Sequence, residues 1–422
     1  MKNSRVEIMA PAGNFVCLDA AIQAGADAVY FGLQGLNMRA GAENFDLVGM
    51  RKLCKICKSC GVRAYLTLNT IYFERDLPAL KKALLSAKKA GVDAVIAWDF
   101  AAVSIASEIS LPVYLSTQAS VSNSLSMALY AKNFGIRRFV LARECSISDI
   151  PLIRKNLAKY LAKAELEKIS FEVFAHGAMC VSVSGRCFMS LFNCQKSANR
   201  GECLQPCRRE YLISDAREEG FSEGFLVGKG YVMSPKDLCT LPFIEKLLDA
   251  KVGSLKIEGR NRNAEYVFET VSAYRKACDF YYQNRKSPTF NEDFARLKDE
   301  LMPRLKSVFN RGFSSGFYMG KPVGDWTSKG NCAESRKLIL GRVKKFYPRI
   351  GVAQILVSDN SISEGQELQI EGKTTGFLRL TASGLRTDEG ACESVKKGQS
   401  FSLKVPKTVR KNDYVYIFKK IS

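Results

Sequence analysis

Histidine is almost missing from this chain: one occurs in 422 residues, at His176. That count excludes an H-E-x-x-H zinc protease and a two-histidine facial iron site, and it leaves any Ser-His-Asp triad one candidate imidazole. Long apolar runs are missing too. None approaches the roughly 18 residues of a membrane helix. The N-terminal stretch MKNSRVEIMAPAG contains Glu7 and no apolar signal core, so a cytoplasmic protein away from membranes is expected. No G-x-x-x-x-G-K-[ST] loop occurs, and no G-x-G-x-x-G follows the first apolar strand, so the common phosphate-cradling loops are absent. The C-x3-C-x2-C spacing of radical-SAM enzymes is absent as well.

Acidic residues are few beside basic ones. Lys and Arg number 63 against 42 Asp and Glu, a net charge of +21. Such an excess favours an anionic partner, most often nucleic acid, although a merely solvated basic surface is the bland alternative. Hydrophobic residues make up 46% of the chain, enough for a large core and two to three domains.

One local pattern recurs. A helical stretch ends in Gly and an apolar run follows, at Gly25, Gly61, Gly91 and Gly135. Glycine suits the left-handed position that closes a helix, and the run after it reads as a doubly buried parallel strand. Eight such strands are expected: 6–10, 28–33, 64–69, 94–99, 113–118, 139–143, 171–176 and 254–258. With helices such as 77–90 and 125–134 between them, they predict an α/β protein, a (β/α)8 TIM-like barrel over residues 1–285. An open doubly wound sheet is the alternative. Residues 286–335 read as a helical connector. Residues 336–422 alternate like short strands and predict a small all-β domain, a β-barrel suited to gripping RNA; residues 331–422 hold 17 basic and 9 acidic side chains, a net +8.

Cysteine is plentiful, with 14 residues. In a cytoplasmic chain that argues for thiolate ligands rather than disulfides. The unit between the seventh and eighth strands, residues 178–230, loses its helical period and holds Cys180, Cys187, Cys194, Cys203 and Cys207, with Cys239 beyond it. Thiolates from one irregular loop can converge on a metal ion or an iron–sulfur cluster, and the neighbouring Arg186, Arg200, Arg208 and Arg209 favour thiolates. Zinc is the runner-up, although paired C-x2-C knuckles are absent from the loop. Scattered free thiols are the bland alternative. Cys54, Cys57 and Cys60 also have ligand-like spacing, but they fall on a helix in one stripe and read as small packing residues.

In a barrel of this kind the strand C-termini point into one site. Several polar residues stand there. His176, Arg143, Glu258 and Arg260 are the candidate catalytic residues, and Asn69, Gln118 and Lys256 the candidate substrate-binding ones. Arg143, Lys256 and Arg260 suit a carboxylate or phosphate, with Glu258 as their salt-bridge partner in the blander reading. His176 suits a hydrogen bond or proton transfer, or simply anchors the loop.

Several compound motifs sit in this frame: E-I-M-A-P-A-G-N at 7–14, A-G-A-D-A-V-Y-F-G at 24–32, H-G-A-M-C with S-G-R-C at 176–187, G-E-C-L-Q-P-C-R-R-E-Y at 201–211, S-P-K-D-L-C at 234–239 and S-L-K-I-E-G-R at 254–260. Together they resemble the collagenase-like peptidase family U32 over about residues 5–285, and the C-terminal extension resembles its tRNA uridine 5-hydroxylation branch. The resemblance implies formation of 5-hydroxyuridine at the wobble position of tRNA, dependent on prephenate and on iron–sulfur supply and independent of molecular oxygen. It places the ligands of a [4Fe–4S] cluster on Cys180, Cys187, Cys203 and Cys207, with Cys239 as an alternative fourth. The R-R-E-Y block replaces the family's commoner R-W-x-Y, removing an aromatic ring that would cover the cluster or stack a base. Two other functions stand beside this one: a collagenase-like peptidase, for which one histidine and no zincin motif leave little apparatus, and a non-catalytic, cluster-carrying subunit of an RNA or quinone hydroxylase.

Overall fold

The computed structural model describes residues 5–421 apart from 40, 210, 214–224, 228–232, 323, 328 and 329. Parts of the expected insertion at 178–230 therefore lie outside the described residues.

Eight parallel strands close on themselves. They are β1 (Glu7–Pro11), β2 (Ala28–Gly32), β3 (Arg63–Leu68), β4 (Ala94–Ala97), β5 (Val113–Leu115), β6 (Arg138–Val140), β7 (Ser170–Gly177) and β8 (Ser254–Ile257). Neighbours pair in order, and β8 closes the ring by pairing with both β7 and β1, Ser254 opposite Glu172 and Glu7. The expected (β/α)8 barrel is thus the observed one, and the open doubly wound alternative is excluded.

Helices α1 (Phe15–Gln23), α2 (Leu47–Ser59), α3 (Leu77–Ala90), α4 (Phe100–Glu108), α5 (Ser124–Phe134) and α6 (Asp149–Leu157) follow the first six strands. Their ends show why the chain folds this way. Asn14, Asp46, Asp99 and Asn123 each accept a backbone N–H at a helix start. Gly91 and Gly135 close α3 and α5 in the left-handed region, at φ 77° and 65°. Cys54 and Cys57 are buried on the inner face of α2, which supports their reading as packing residues.

The N-terminal end of the barrel is plugged by charge. Arg138 bonds Glu172 (2.9 Å) and Glu7, Lys256 bonds Glu172 (3.1 Å), and Ser254 and Tyr65 donate to Glu7 (3.1 and 2.8 Å). Every member of this network is buried, and each charge has an opposite partner, as such burial requires. Lys256, expected to bind substrate, belongs to this plug.

After β7 the regular alternation fails. The chain crosses the strand C-termini in short turns, returns as a short strand, Asp237–Cys239, antiparallel to β7, and reaches β8 through α7 (Ile244–Asp249). Two long helices, α8 (Ala264–Asn284) and α9 (Phe290–Ser307), then pack on the barrel.

The C-terminal unit contains β9 (Ser335–Tyr347), β10 (Val352–Val357), β11 (Glu367–Gly372), β12 (Gly376–Thr381), β13 (Ser400–Lys404) and β14 (Tyr414–Lys420), antiparallel in the order β12-β11-β14-β9-β10-β13. Among the described residues no pairing joins the two edges of the sheet. The expected all-β domain is present as an antiparallel sheet, and closure into a barrel is not seen among the described residues. It docks through β12: Asp19 of α1 accepts the Phe377 N–H (2.7 Å) and pairs with Lys407 (2.8 Å), and Phe377 is buried against Phe268.

Candidate functional site at the barrel mouth

The segment 178–209 is tied down at several points. Thr70 and Ile71, just past β3, donate to the Asn199 carbonyl (2.8 and 3.3 Å), and Arg200 pairs with Asp76 (2.6 Å). Glu144, after β6, accepts from Ser184 (3.0 Å). Arg208 donates to the Met179 carbonyl (2.6 Å) and to Ser234 (2.7 Å), joining the two ends of the loop. These bonds hold an irregular backbone whose own ladders are short.

Beneath the segment lies a cavity of about 450 Å³. Cys180, Cys187, Cys203 and Cys207 all line it, with Gln118, Arg143 and Glu258 from the strand ends. Burial pushes the Cys207 thiol up, Arg208 opposes this, and the neighbouring thiols of Cys180, Cys203 and Cys187 add to the rise. The sulfurs therefore share one electrostatic environment. The Met189 N–H points at the Cys187 sulfur (3.3 Å). Among the described residues, no group of three or more Cys, His, Asp or Glu side chains has the arrangement that holds a single metal ion. Cys239 stands apart: it is buried beside the Tyr274 hydroxyl (3.8 Å) and its thiol is pushed up to about 11.

The rest of the wall is cationic. Arg39, Arg143, Arg208, Arg262 and Arg311 line the cavity against the carboxylates of Glu202 and Glu258. Burial works to raise the Glu258 carboxyl, but Arg39, Arg143 and Arg260 outweigh it and hold it at about 2. Its direct partner is Arg39, through Nη2 (3.0 Å) and Nε (3.2 Å), a residue the sequence reading passed over. The M-R-A-G segment containing Arg39 shows no periodic or spacing signal; only its position after β2 hints at a mouth residue. Arg143 lies on the Phe174 ring (4.0 Å) and donates to the Ala178 carbonyl (2.8 Å), while its buried Nε has no partner among the described residues.

The other expected residues fall outside the cavity wall. Arg260 is buried against Asn37 (2.9 Å) and Thr67 (2.7 Å), and packs so tightly below β2 that a Cβ on Gly32 would stand 2.7 Å from its guanidinium. Asn69 donates to Gln118 (3.3 Å) and orients it. His176 is buried among Tyr266, Tyr274 and Phe313, and burial, with the Arg262 charge, pushes its imidazole down to about 3.

A feature bearing on hydrolysis also escaped the sequence reading. Gly312–Gly316 has G-x-S-x-G spacing, centred on Ser314. A nucleophile elbow needs a strand-to-helix turn. Here the strand Phe313–Ser314 is followed by a turn, and Ser314 Oγ accepts the Gly316 N–H (3.2 Å). A second such spacing, at 220–224, lies outside the described residues.

A closed parallel barrel with a cysteine-lined, arginine-rich mouth and an appended antiparallel sheet defines the class of this protein. The description Peptidase family U32 matches residues 13–328, and the chain belongs to that family. It is 39% identical over 417 residues to "Collagenase" of Porphyromonas gingivalis, covering 98% of both chains. It is 33% identical over 321 residues to "tRNA hydroxylation protein P1" of Bacillus subtilis, covering 75% of this chain and 71% of that one. To the "23S rRNA 5-hydroxycytidine C2501 synthase" of Escherichia coli it is 30% identical over 329 residues, covering 77% of this chain and 47% of the other. No helix among the described residues is long and apolar enough to cross a membrane.

Proposed function

We propose that this protein is an RNA-modifying hydroxylation enzyme acting on tRNA, forming 5-hydroxyuridine at the wobble position. The observation that carries the reading is the shared cavity: four cysteines from one loop and five arginines meet at the strand C-termini, where barrels of this kind keep their chemistry. Relatives named for tRNA and rRNA hydroxylation and a net charge of +21 support an RNA substrate.

The residues fit a [4Fe–4S] cluster. Such a cluster spreads its thiolates over different iron atoms, which suits sulfurs placed around a cavity wall better than a single-ion cage. Cys180, Cys187, Cys203 and Cys207 would hold it, and when bound it would supply one-electron chemistry. The chain's own residues do the rest. Arg143, whose buried Nε has no partner among the described residues, and Arg262 attract the carboxylates of a prephenate-like co-substrate. Arg39 keeps Glu258 ionised, so Glu258 sets the position of Arg39 and repels misplaced anions. Gln118, held by Asn69 and Ser116, presents an amide to an entering base. The uridine enters unpaired, as chemistry on a base requires. Molecular oxygen is not a co-substrate in this reading.

The test is mass spectrometry of tRNA nucleosides from a deletion strain lacking any paralogue. Loss of 5-hydroxyuridine-derived nucleosides, restored by the intact gene and not by a Cys187→Ser copy, is expected; unchanged nucleosides overturn the proposal.

The relative named collagenase favours a peptidase as the second reading. Cysteine hydrolysis needs a thiolate beside an imidazolium. Cys239 and His176 pair across adjacent strands, yet burial pushes that thiol up to about 11 and the imidazole down to about 3. Both are neutral near pH 7, the reverse of an activated pair.

A further inference from the structure

Two exposed aromatic rings flank the cavity-lining residues Cys187, Met189 and Ser190 in the chain and take no part in the scheme above. The short helix Met189–Cys194 buries Ser190, while Phe188 and Phe192 are 59% and 81% exposed. Leu191 and Val183 are exposed beside them. Single exposed hydrophobics are ordinary, but two phenylalanines one helical turn apart, next to a cavity-lining cysteine, form a patch. Their ring centroids are 6.1 Å apart with planes tilted by 54°, so neither ring covers the other and each keeps an open face. The setting is cationic: residues 178–209 contain five Arg and Lys against one Glu, a net +4. Close by, Arg186 bonds Ser120 (3.1 Å) and lies over the Trp98 ring (5.9 Å).

Open aromatic faces within positive charge match the two halves of an unpaired nucleotide, its base and its phosphate. We infer that Phe188 and Phe192 are a stacking platform for the unpaired RNA nucleotides flanking the base that enters the cavity. This rests on the RNA reading above and adds the class of substrate structure: a loop with splayed bases rather than a duplex. Every base has a π-face, so the platform holds a loop without reading its sequence, and selection is left to the cavity.

The experiment measures binding of the full-length protein by fluorescence anisotropy to a labelled RNA hairpin with a uridine-containing anticodon-type loop, and to a blunt duplex of similar length. Both side chains point to solvent, so Phe188→Ala and Phe192→Ala should leave the fold intact, checked by circular dichroism. Each should weaken hairpin binding about 5- to 150-fold, the range for loss of one base–aromatic stack (about 1–3 kcal/mol). Duplex affinity and the salt slope should stay unchanged, because phosphate contacts set them, and Phe192→Tyr should restore hairpin binding. A double variant that binds the hairpin like wild type overturns the platform and leaves the RNA reading standing. A wild-type chain that binds neither RNA overturns both. Loss of self-association or of binding to anionic vesicles, with hairpin affinity intact, assigns the rings to another partner and overturns the inference.

Discussion

Arg39 grips Glu258 across the barrel mouth, with Nη2 3.0 Å and Nε 3.2 Å from one carboxylate oxygen. The carboxyl, ordinarily near 4.5, is held at about 2, since the surrounding arginines outweigh the cost of burial. A lowered carboxyl stabilises the folded chain above its unfolded value and loses that contribution as pH falls through the folded one. Stability should therefore decline between about pH 4.5 and 2, and Glu258→Gln should flatten that part of the profile. Arg39→Ala removes two charge-assisted bonds and should cost about 1–3 kcal/mol at neutral pH. Urea unfolding of the three proteins at several pH values checks both. An unchanged acid limb in Glu258→Gln would show that the carboxyl is not depressed.

His176 should remain neutral throughout the physiological range. Burial is the main cause, with the Arg262 charge second, and together they lower its pKa from 6.5 to about 3. The unfolded chain takes up this proton near 6.5 while the folded one resists it, so stability is lost as pH falls from about 6.5 toward 3. The chain has a single histidine, so its imidazole nitrogen resonances are unambiguous. They should show the neutral form from pH 8 to 5. A titration midpoint near 6.5 would contradict the buried placement and reopen His176 as an acid–base group.

Much of this architecture was legible because period and punctuation agree. The helix ends at Gly91 and Gly135 and the apolar runs after them are local signals; eight such strands suit a closed barrel, and the pairing of β8 with both β7 and β1 decides it against the open sheet. Polar strand ends were harder to read. Lys256 follows an apolar run like a mouth residue, yet it lies in the plug with Glu172, because alternate side chains of a barrel strand point inward at different depths. Arg260 and His176 share motifs with the cavity's residues but serve beneath it, holding Asn37, Thr67 and the aromatic cluster. Arg39 and the exposed phenylalanines gave no sequence signal at all. Their roles depend on where β2 and the loop after β7 bring them, and only long-range contacts decide that.

Gly177, at the exit of β7, should not tolerate a side chain. Its φ is +109°, and an added Cβ would stand 2.5 Å from the Glu258 carbonyl oxygen, which is backbone and cannot turn aside. Gly177→Ala should destabilise the protein by about 1–3 kcal/mol, and by more if β8 must shift. Gly135→Ala is the comparison: its φ is +65°, but nothing lies within 4 Å of the added carbon. It should cost about 1 kcal/mol, the strain of the left-handed conformation alone. Denaturant midpoints of the two variants rank the effects, and equal losses would mean that the Glu258 contact is not the cause.

The cysteines divide into cavity and core, and under the proposed cluster reading that division predicts which substitutions lose iron. Cys180, Cys187, Cys203 and Cys207 line the cavity, Cys239 is sealed beside Tyr274 and Cys57 is packed inside α2, its thiol pushed up to about 12 mainly by burial. Cys239 and Cys57 are enclosed by packed side chains away from the cavity, whereas the four cavity cysteines are within reach of a cluster that enters it. After anaerobic purification, Cys180→Ser, Cys187→Ser, Cys203→Ser and Cys207→Ser should each lose most bound iron and acid-labile sulfide, while Cys57→Ser and Cys239→Ser keep wild-type amounts. Loss of iron in Cys239→Ser with retention in Cys207→Ser would move the fourth ligand to the strand beside β7 and require that strand to swing away from His176. Zinc without sulfide in the wild-type protein would leave the cavity a thiolate site but remove the cluster from it.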